Sequence, residues 1–454
     1  MFNPTDMLIL VGVLLTLVFC GFHIAVSLGV TSLLGIYLIN GDLEMVQRFS
    51  ASTAYEALRD YVFAVIPLFM LMGEFLAKCG AARDLFTLIN RLTQWVPGRL
   101  GVATVLANAV FAFVTGVSIA AAAAFSKIAH PEMRRFGYER KFSLGCIAGS
   151  ACLGMLIPPS VLMIVWGVLT ELAIGKLFIA GIIPGLLVVS LYIGHIVWVA
   201  KTQPHRVGEG DQLPAAQLAA RSANELEDQA SLKTILWSTV GILTLVFLVL
   251  GGIWLGAFTP TEGAGVGAIL ALLLAIMRGM RTKEMVEVIF SVGKTSAPLL
   301  LLLVTAQLYS RVLAMTGITG AAKEFFLGSG LSPYVILALM ILVWFILGCI
   351  IDSISIILLT VPVFAPVAAA VGFDPIAFAI LGILAIETGL LTPPFGILVF
   401  TVKAAVTDEK GLSTGEIFSG SVAYWMALLA AIIIIAVYPQ IATWLPNLGN
   451  NLIQ

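Results

Sequence analysis

Residues 149–166 read GSACLGMLIPPSVLMIVW, and the adjacent prolines Pro158 and Pro159 interrupt a run that is otherwise suited to lipid. Proline donates no backbone hydrogen bond, and its ring clashes with the preceding helical turn. In hydrocarbon each carbonyl left unpaired by such a break costs several kcal/mol. A helix broken there needs a compensating partner.

The surroundings of this stretch place it in a membrane. Hydrophobic residues make up 60% of the 454 and charged residues only 11%, with mean hydropathy +1.06. A soluble chain of this length needs more polar surface. Net charge is −1, which gives no footprint for nucleic acid. Cys20, Cys79, Cys146, Cys152 and Cys349 sit in apolar runs without CxxC spacing and read as small core residues. The first apolar run, from Met7, follows no basic region and ends at no cleavage site, so it reads as a retained signal anchor. Apolar stretches of spanning length recur throughout and predict an all-α polytopic protein of about 11–13 transmembrane helices with two re-entrant helical hairpins. Segment 201–232 is polar, mixed in charge and reads as a solvated linker. It divides a first half, 1–200, from a second half, 233–454.

Lys and Arg concentrate in loops 127–141 and 278–294, and none follows Tyr438. The positive-inside rule puts both loops, and the linker with them, in the cytoplasm.

The halves echo each other. FLAKCGAARDLF (75–86) resembles VLAMTGITGAAKEFF (312–326), FVTGVS (113–118) resembles FILGCI (345–350), and LGMLIPPSVLMIV (153–165) resembles TGLLTPPFGILVF (388–400). The offsets are 237 for Gly80 to Gly317, 232 for Gly116 to Gly348 and 235 for Pro158 to Pro393. Duplicated halves with Gly/Pro-interrupted segments in matching places point to a secondary transporter with its site between the repeats. A lone diproline would read as a kink in a packed bundle; two at related positions read as paired sites.

Breaking a helix at depth exposes an N-terminal end that attracts anions and carbonyls that attract cations such as sodium. Ser150, Gly154, Ile157, Pro159 and Ser160 surround the first break; Thr388, Gly389, Thr392, Pro394 and Gly396 surround the second. Stretches 100–129 and 345–370 suit hairpins, the first with a Thr-Gly-Val-Ser turn and the second with Gly348, Asp352, Ser353 and Ser355. Four carboxylates interrupt apolar runs. Glu262 reads as a helix cap beside Thr259 or Thr261, and Glu74 as an ion pair with Lys78 four residues on. Asp352 and Glu387, each beside an interruption, are ligand candidates. His23 and His195 read as packed, hydrogen-bonded histidines. HExxH, P-loop, GxSxG and Asp-rich diphosphate motifs are absent from the sequence, which argues against an enzyme and for an ion gradient as the energy source.

Five segments carry a family resemblance: LIPPSVLMIVW (156–166), LFIAGIIPGLL (177–187), GAFTPTEGAGVGA (256–268), LGCIIDSISIILLTVPVFAPV (347–367) and GLLTPPFGILVF (389–400). Together they resemble the large membrane subunit of tripartite ATP-independent periplasmic (TRAP) transporters, the C4-dicarboxylate-type permease. The resemblance runs over nearly the whole chain. It implies inverted repeats, an elevator-type transport domain and a place in the bacterial inner membrane. It further implies sodium-driven uptake of organic acids with no organic cofactor, a separate small four-helix membrane subunit and a periplasmic substrate-binding protein. By that resemblance one sodium site uses Thr115, Val117, Gly154, Ile157 and Pro159. The second, by repeat symmetry, uses Gly348, Asp352, Gly389, Thr392 and Gly396. Candidate substrate contacts are Ser118, Ser150, Ser160, Glu387 and Thr388. Two positions depart from the family: the first hairpin tip reads TGVS (115–118) where Ser-Gly-Ser-Ser is usual, and IET (386–388) stands where Asn commonly precedes the second break. The other reading is a stand-alone sodium- or proton-coupled organic-anion carrier of the same broad superfamily.

Overall fold

A computed structural model describes residues 4–208, 232–407, 409 and 411–452. Most of the linker, 209–231, lies outside the described residues. The described chain is helical, and its β-pairing is a single bridge between Tyr138 and Val207. Among the described residues, seven helical segments are long and apolar enough to cross a bilayer, counting the interrupted Arg140–Thr170 as one, and six shorter apolar helices accompany them.

Local chemistry sets the helix starts. His23 accepts from Ala25 N–H, and Asp42 accepts from Glu44 N–H. Asp374 accepts from both Ile376 and Ala377 N–H ahead of Pro375, whose missing donor costs nothing at a first helical position. Thr259 and Glu262 form a reciprocal capping box: Glu262 accepts from Thr259 N–H at 2.8 Å and donates its own N–H to Thr259 Oγ1 at 3.3 Å. Glu262 is therefore the predicted cap. The expected Glu74–Lys78 pair is not made; Lys78 Nζ instead reaches Glu287 at 3.7 Å on a different helix.

Each half contains a hairpin followed by a broken helix. Hairpin 1 has arms Arg99–Thr115 and Ser118–Arg135, so Lys127, Arg134 and Arg135 lie on its second arm rather than in a loop. The first broken helix runs Arg140–Ala151, then a turn at Leu153–Leu156, then Val161–Thr170. Hairpin 2 has arms Pro333–Gly348 and Ser353–Ala370, and the second broken helix runs Pro375–Gly389 and then Ile397–Ala405. Both diprolines thus fall in non-helical backbone, as the sequence requires.

The two halves interlock through buried aromatics. Trp166 meets Trp344 edge-to-face with centroids 5.8 Å apart, and both rings pack on Phe378. Trp344 Nε1 donates to Thr360 Oγ1 at 2.8 Å, so its polar edge is satisfied inside the core.

Candidate functional site

The tip of hairpin 1 sits on the first break. Gly116 is left-handed (φ 61°), its carbonyl accepts from Val161 N–H at 3.2 Å, and a Cβ there would stand 2.5 Å from Pro159 O. Only glycine fits that conformation and that gap. Gly154 is close-packed but less tight: a Cβ would lie 3.0 Å from backbone atoms of Val117 and Ser118. Thr115, Val117, Gly154 and Pro159 therefore gather at one place. Ile157 adopts extended backbone at the end of the Leu153–Leu156 turn, and its side chain packs under Gly185.

The second tip repeats the arrangement. Gly348 and Gly389 cross backbone to backbone; a Cβ on Gly348 would approach Gly389 Cα to 2.8 Å, and one on Gly389 would approach Gly348 Cα to 2.6 Å. Cys349 Sγ lies 2.9 Å from Thr392 Oγ1, and Cys349 O accepts from Gly396 N–H at 3.3 Å. Gly348, Gly389, Thr392 and Gly396 therefore converge around Cys349. Asp352 caps the second arm: its carboxylate accepts from Ser355 N–H at 3.1 Å and from Ser355 Oγ.

Between the tips lies Glu387, 1% exposed. Its Oε1 accepts from Ser353 Oγ at 2.9 Å, and Ser118 also stands near the carboxylate. Neither Glu387 Oε2 nor Ser118 Oγ completes a hydrogen bond among the described residues. Cys152 Sγ contacts Glu387 O at 3.5 Å. A buried carboxylate with one unsatisfied oxygen and, among the described residues, no ion pair to a cationic side chain is costly unless a proton, a metal ion or a cationic group joins it.

Of the five candidate substrate contacts, Ser118 and Glu387 share this junction. The other three hydroxyls are engaged with other partners. Ser150 accepts from Asn108 Nδ2 at 2.6 Å, Ser160 donates to Met155 O while capping Met163 N–H, and Thr388 donates to Leu384 O at 2.6 Å. Sequence reasoning missed Ser353 as a partner of Glu387, and also Cys152 and Cys349. The signal was present: the offset of 235 that relates Pro158 to Pro393 also relates Ser118 to Ser353 and Cys152 to Glu387.

Two hairpins seated on two broken helices about a buried polar junction define a membrane transporter rather than an enzyme. A solved structure shares the fold: the YdaH transporter of Alcanivorax borkumensis superposes with TM-score 0.63 over 89% of each chain at 13% identity. Residues 11–441 match the family model described as tripartite ATP-independent periplasmic transporter, DctM component, and the chain belongs to that family. It is 36% identical to the C4-dicarboxylate TRAP transporter large permease protein DctM of Pseudomonas aeruginosa, over 93% of this chain and 94% of that protein. It is 29% identical to the sialic acid TRAP transporter large permease protein SiaM of Vibrio cholerae, over 96% and 97%. The chain is thus a multi-pass permease subunit of the bacterial inner membrane.

Proposed function

We propose that this permease imports small organic acids handed over by a periplasmic substrate-binding protein, working with a small four-helix membrane subunit and driven by sodium through an elevator-type alternation of access. The observation that carries the reading is the pairing of each hairpin tip with a broken helix, at Gly116/Gly154 and at Gly348/Gly389. Unwound backbone at mid-membrane is tolerated where it lines a site, and uncharged oxygens suffice for a hard cation. One sodium is held by Thr115, Val117, Gly154, Ile157 and Pro159. The second is held by Gly348, Asp352, Gly389, Thr392 and Gly396. Substrate meets the junction of Ser118, Ser353 and Glu387, with Ser150, Ser160 and Thr388 shaping the walls. Both relatives are named for acids, a C4-dicarboxylate and sialic acid.

The test is uptake in proteoliposomes containing the permease, the small subunit and the binding protein. An inward sodium gradient should drive accumulation, and its removal should abolish it. Accumulation indifferent to sodium would overturn the coupling.

A second reading, a stand-alone proton-coupled carrier, draws on the uncompensated Glu387 carboxylate. It requires accumulation driven by a pH gradient when the binding protein is left out.

A further inference from the structure

A cavity of about 390 Å³ opens at the foot of hairpin 1, between that hairpin and helix Ala81–Leu92. Arg83, Arg91, Arg99, Lys127 and Arg135 line it, against one carboxylate, Glu132. Arg99 stacks over the Phe136 ring at 5.0 Å. Arg83, Lys127 and Arg135 form no ion pair among the described residues. Asp84, the one acid of helix Ala81–Leu92, is taken up by Arg278. Arg83, Lys127 and Arg135, gathered around one cavity with a single carboxylate in its lining, give it a positive field that favours an anion.

Fold symmetry does not demand this charge. The corresponding helix of the second half, Ile318–Gly328, carries one Lys and one Glu, and hairpin 2 from Pro333 to Ala370 carries no Lys or Arg. The cations are confined to one repeat at one end. Arg278 and Lys78 bind across to Asp84 and Glu287 and bring the two basic loops to that same end, which the positive-inside rule makes cytoplasmic.

The depth of the cavity is marked by its neighbours. Helix Ala81–Leu92 buries Ala81, Ala82, Leu85 and Phe86 and turns its cationic face outward. Immediately after it Trp95 is 85% exposed, and Leu92 is also exposed. An exposed Trp beside an amphipathic cationic helix is the pattern of the membrane–water interface. We propose that this cavity binds a phosphate-bearing anion presented as the headgroup of an anionic phospholipid of the inner leaflet. Guanidinium groups pair with phosphate oxygens in bidentate fashion, and Leu92 and Trp95 line the route for the acyl chains.

The experiment is native mass spectrometry of the full-length permease extracted with its lipids, paired with thermal unfolding in nanodiscs. Wild type should retain phosphatidylglycerol or cardiolipin over phosphatidylethanolamine, and should melt higher in phosphatidylglycerol nanodiscs than in phosphatidylcholine ones. The triple variant R83Q/K127Q/R135Q should retain anionic lipid roughly tenfold less or worse and lose the phosphatidylglycerol increment. Its melting in phosphatidylcholine should match wild type, which separates lost binding from lost folding. Lys323→Gln, an exposed cation on the corresponding helix of the second half, should change neither readout. Equal retention by wild type and the triple variant would overturn the proposal. So would displacement of the retained lipid by millimolar inorganic phosphate or glycerol phosphate, which would assign the cavity to a free anion.

Discussion

Ser353 Oγ donates to Glu387 Oε1 at 2.9 Å, tying the tip of hairpin 2 to the last turn of the helix that precedes the second break. Ser118, the matching residue of hairpin 1, stands beside the same carboxylate. One side chain therefore touches both repeats at the depth where their tips meet. Glu387→Gln keeps volume and hydrogen-bonding capacity but removes the charge. If the carboxylate engages the transported species, as proposed, uptake should fall about tenfold or more. Thermal stability should hold or rise, since an uncompensated buried charge is relieved. Parallel uptake and melting measurements on the reconstituted complex decide it: unchanged uptake would remove Glu387 from the transport site.

The Gly348–Gly389 crossing makes a second, purely steric prediction. Alanine at either position places a methyl within 2.8 Å of the opposing Cα or closer. Helix backbones cannot yield by that much without separating, so each single substitution should cost about 1–3 kcal/mol. The double substitution should cost less than the sum, because the first has already parted the helices. Thermal unfolding in detergent of the singles and the double gives the coupling directly.

How much of this was readable beforehand depended on what kind of feature carried it. The diprolines and the offset of 235 residues come from backbone chemistry and duplication, which are local and additive, so breaks and hairpins were legible. The fate of hydroxyls was not. Ser160 and Thr388 lie beside the breaks in sequence, yet both are consumed by carbonyls of their own segments. Ser353 belongs to a hairpin tip, and its contact spans 34 residues to Glu387. The expected Glu74–Lys78 pair failed for the same reason: a helical i,i+4 geometry was available, but tertiary packing brought Glu287 to the lysine instead.

A third prediction concerns acid. His130 lies near the foot of hairpin 1, outside the seven spanning helices, with Nδ1 2.9 Å from Ser143 Oγ and Nε2 3.0 Å from Glu409 Oε1. Arg134 and Arg140 face the same carboxylate, and Glu416 pairs with Arg140. Burial pushes the imidazole below its ordinary value of 6.5, and Glu409 opposes this only in part. The unfolded chain therefore binds the proton more readily. Stability from this group is complete above about pH 6.5 and declines as pH falls from there to the folded value, below which it is spent. Wild type should lose melting temperature between pH 7 and 5.5 by more than His130→Gln does. Identical pH profiles for the two proteins would assign the acid sensitivity elsewhere.

The last prediction separates ion binding from folding at the first site. A Cβ at Gly154 would meet Ser118 Cα, Ser118 N and Val117 C, all at 3.0 Å, a distance at which the neighbour must give by a few tenths of an ångström. The hairpin tip is a two-residue link between helices and can shift that far, whereas the break itself is pinned by Ser160, which holds Met155 O and Met163 N–H together. Gly154→Ala should therefore displace the tip and leave the fold intact. Oxygens that ligate sodium are spaced for its radius, so a displaced tip should raise the sodium concentration for half-maximal uptake several-fold while maximal uptake at saturating sodium is largely kept. Ser160→Ala acts differently: it removes the cap and strands Met155 O, which should cost about 1–3 kcal/mol and lower the amount of folded permease rather than its sodium dependence. Sodium titrations of uptake, normalised to folded protein, distinguish the two. An unchanged sodium dependence in Gly154→Ala would place the ion away from the first tip.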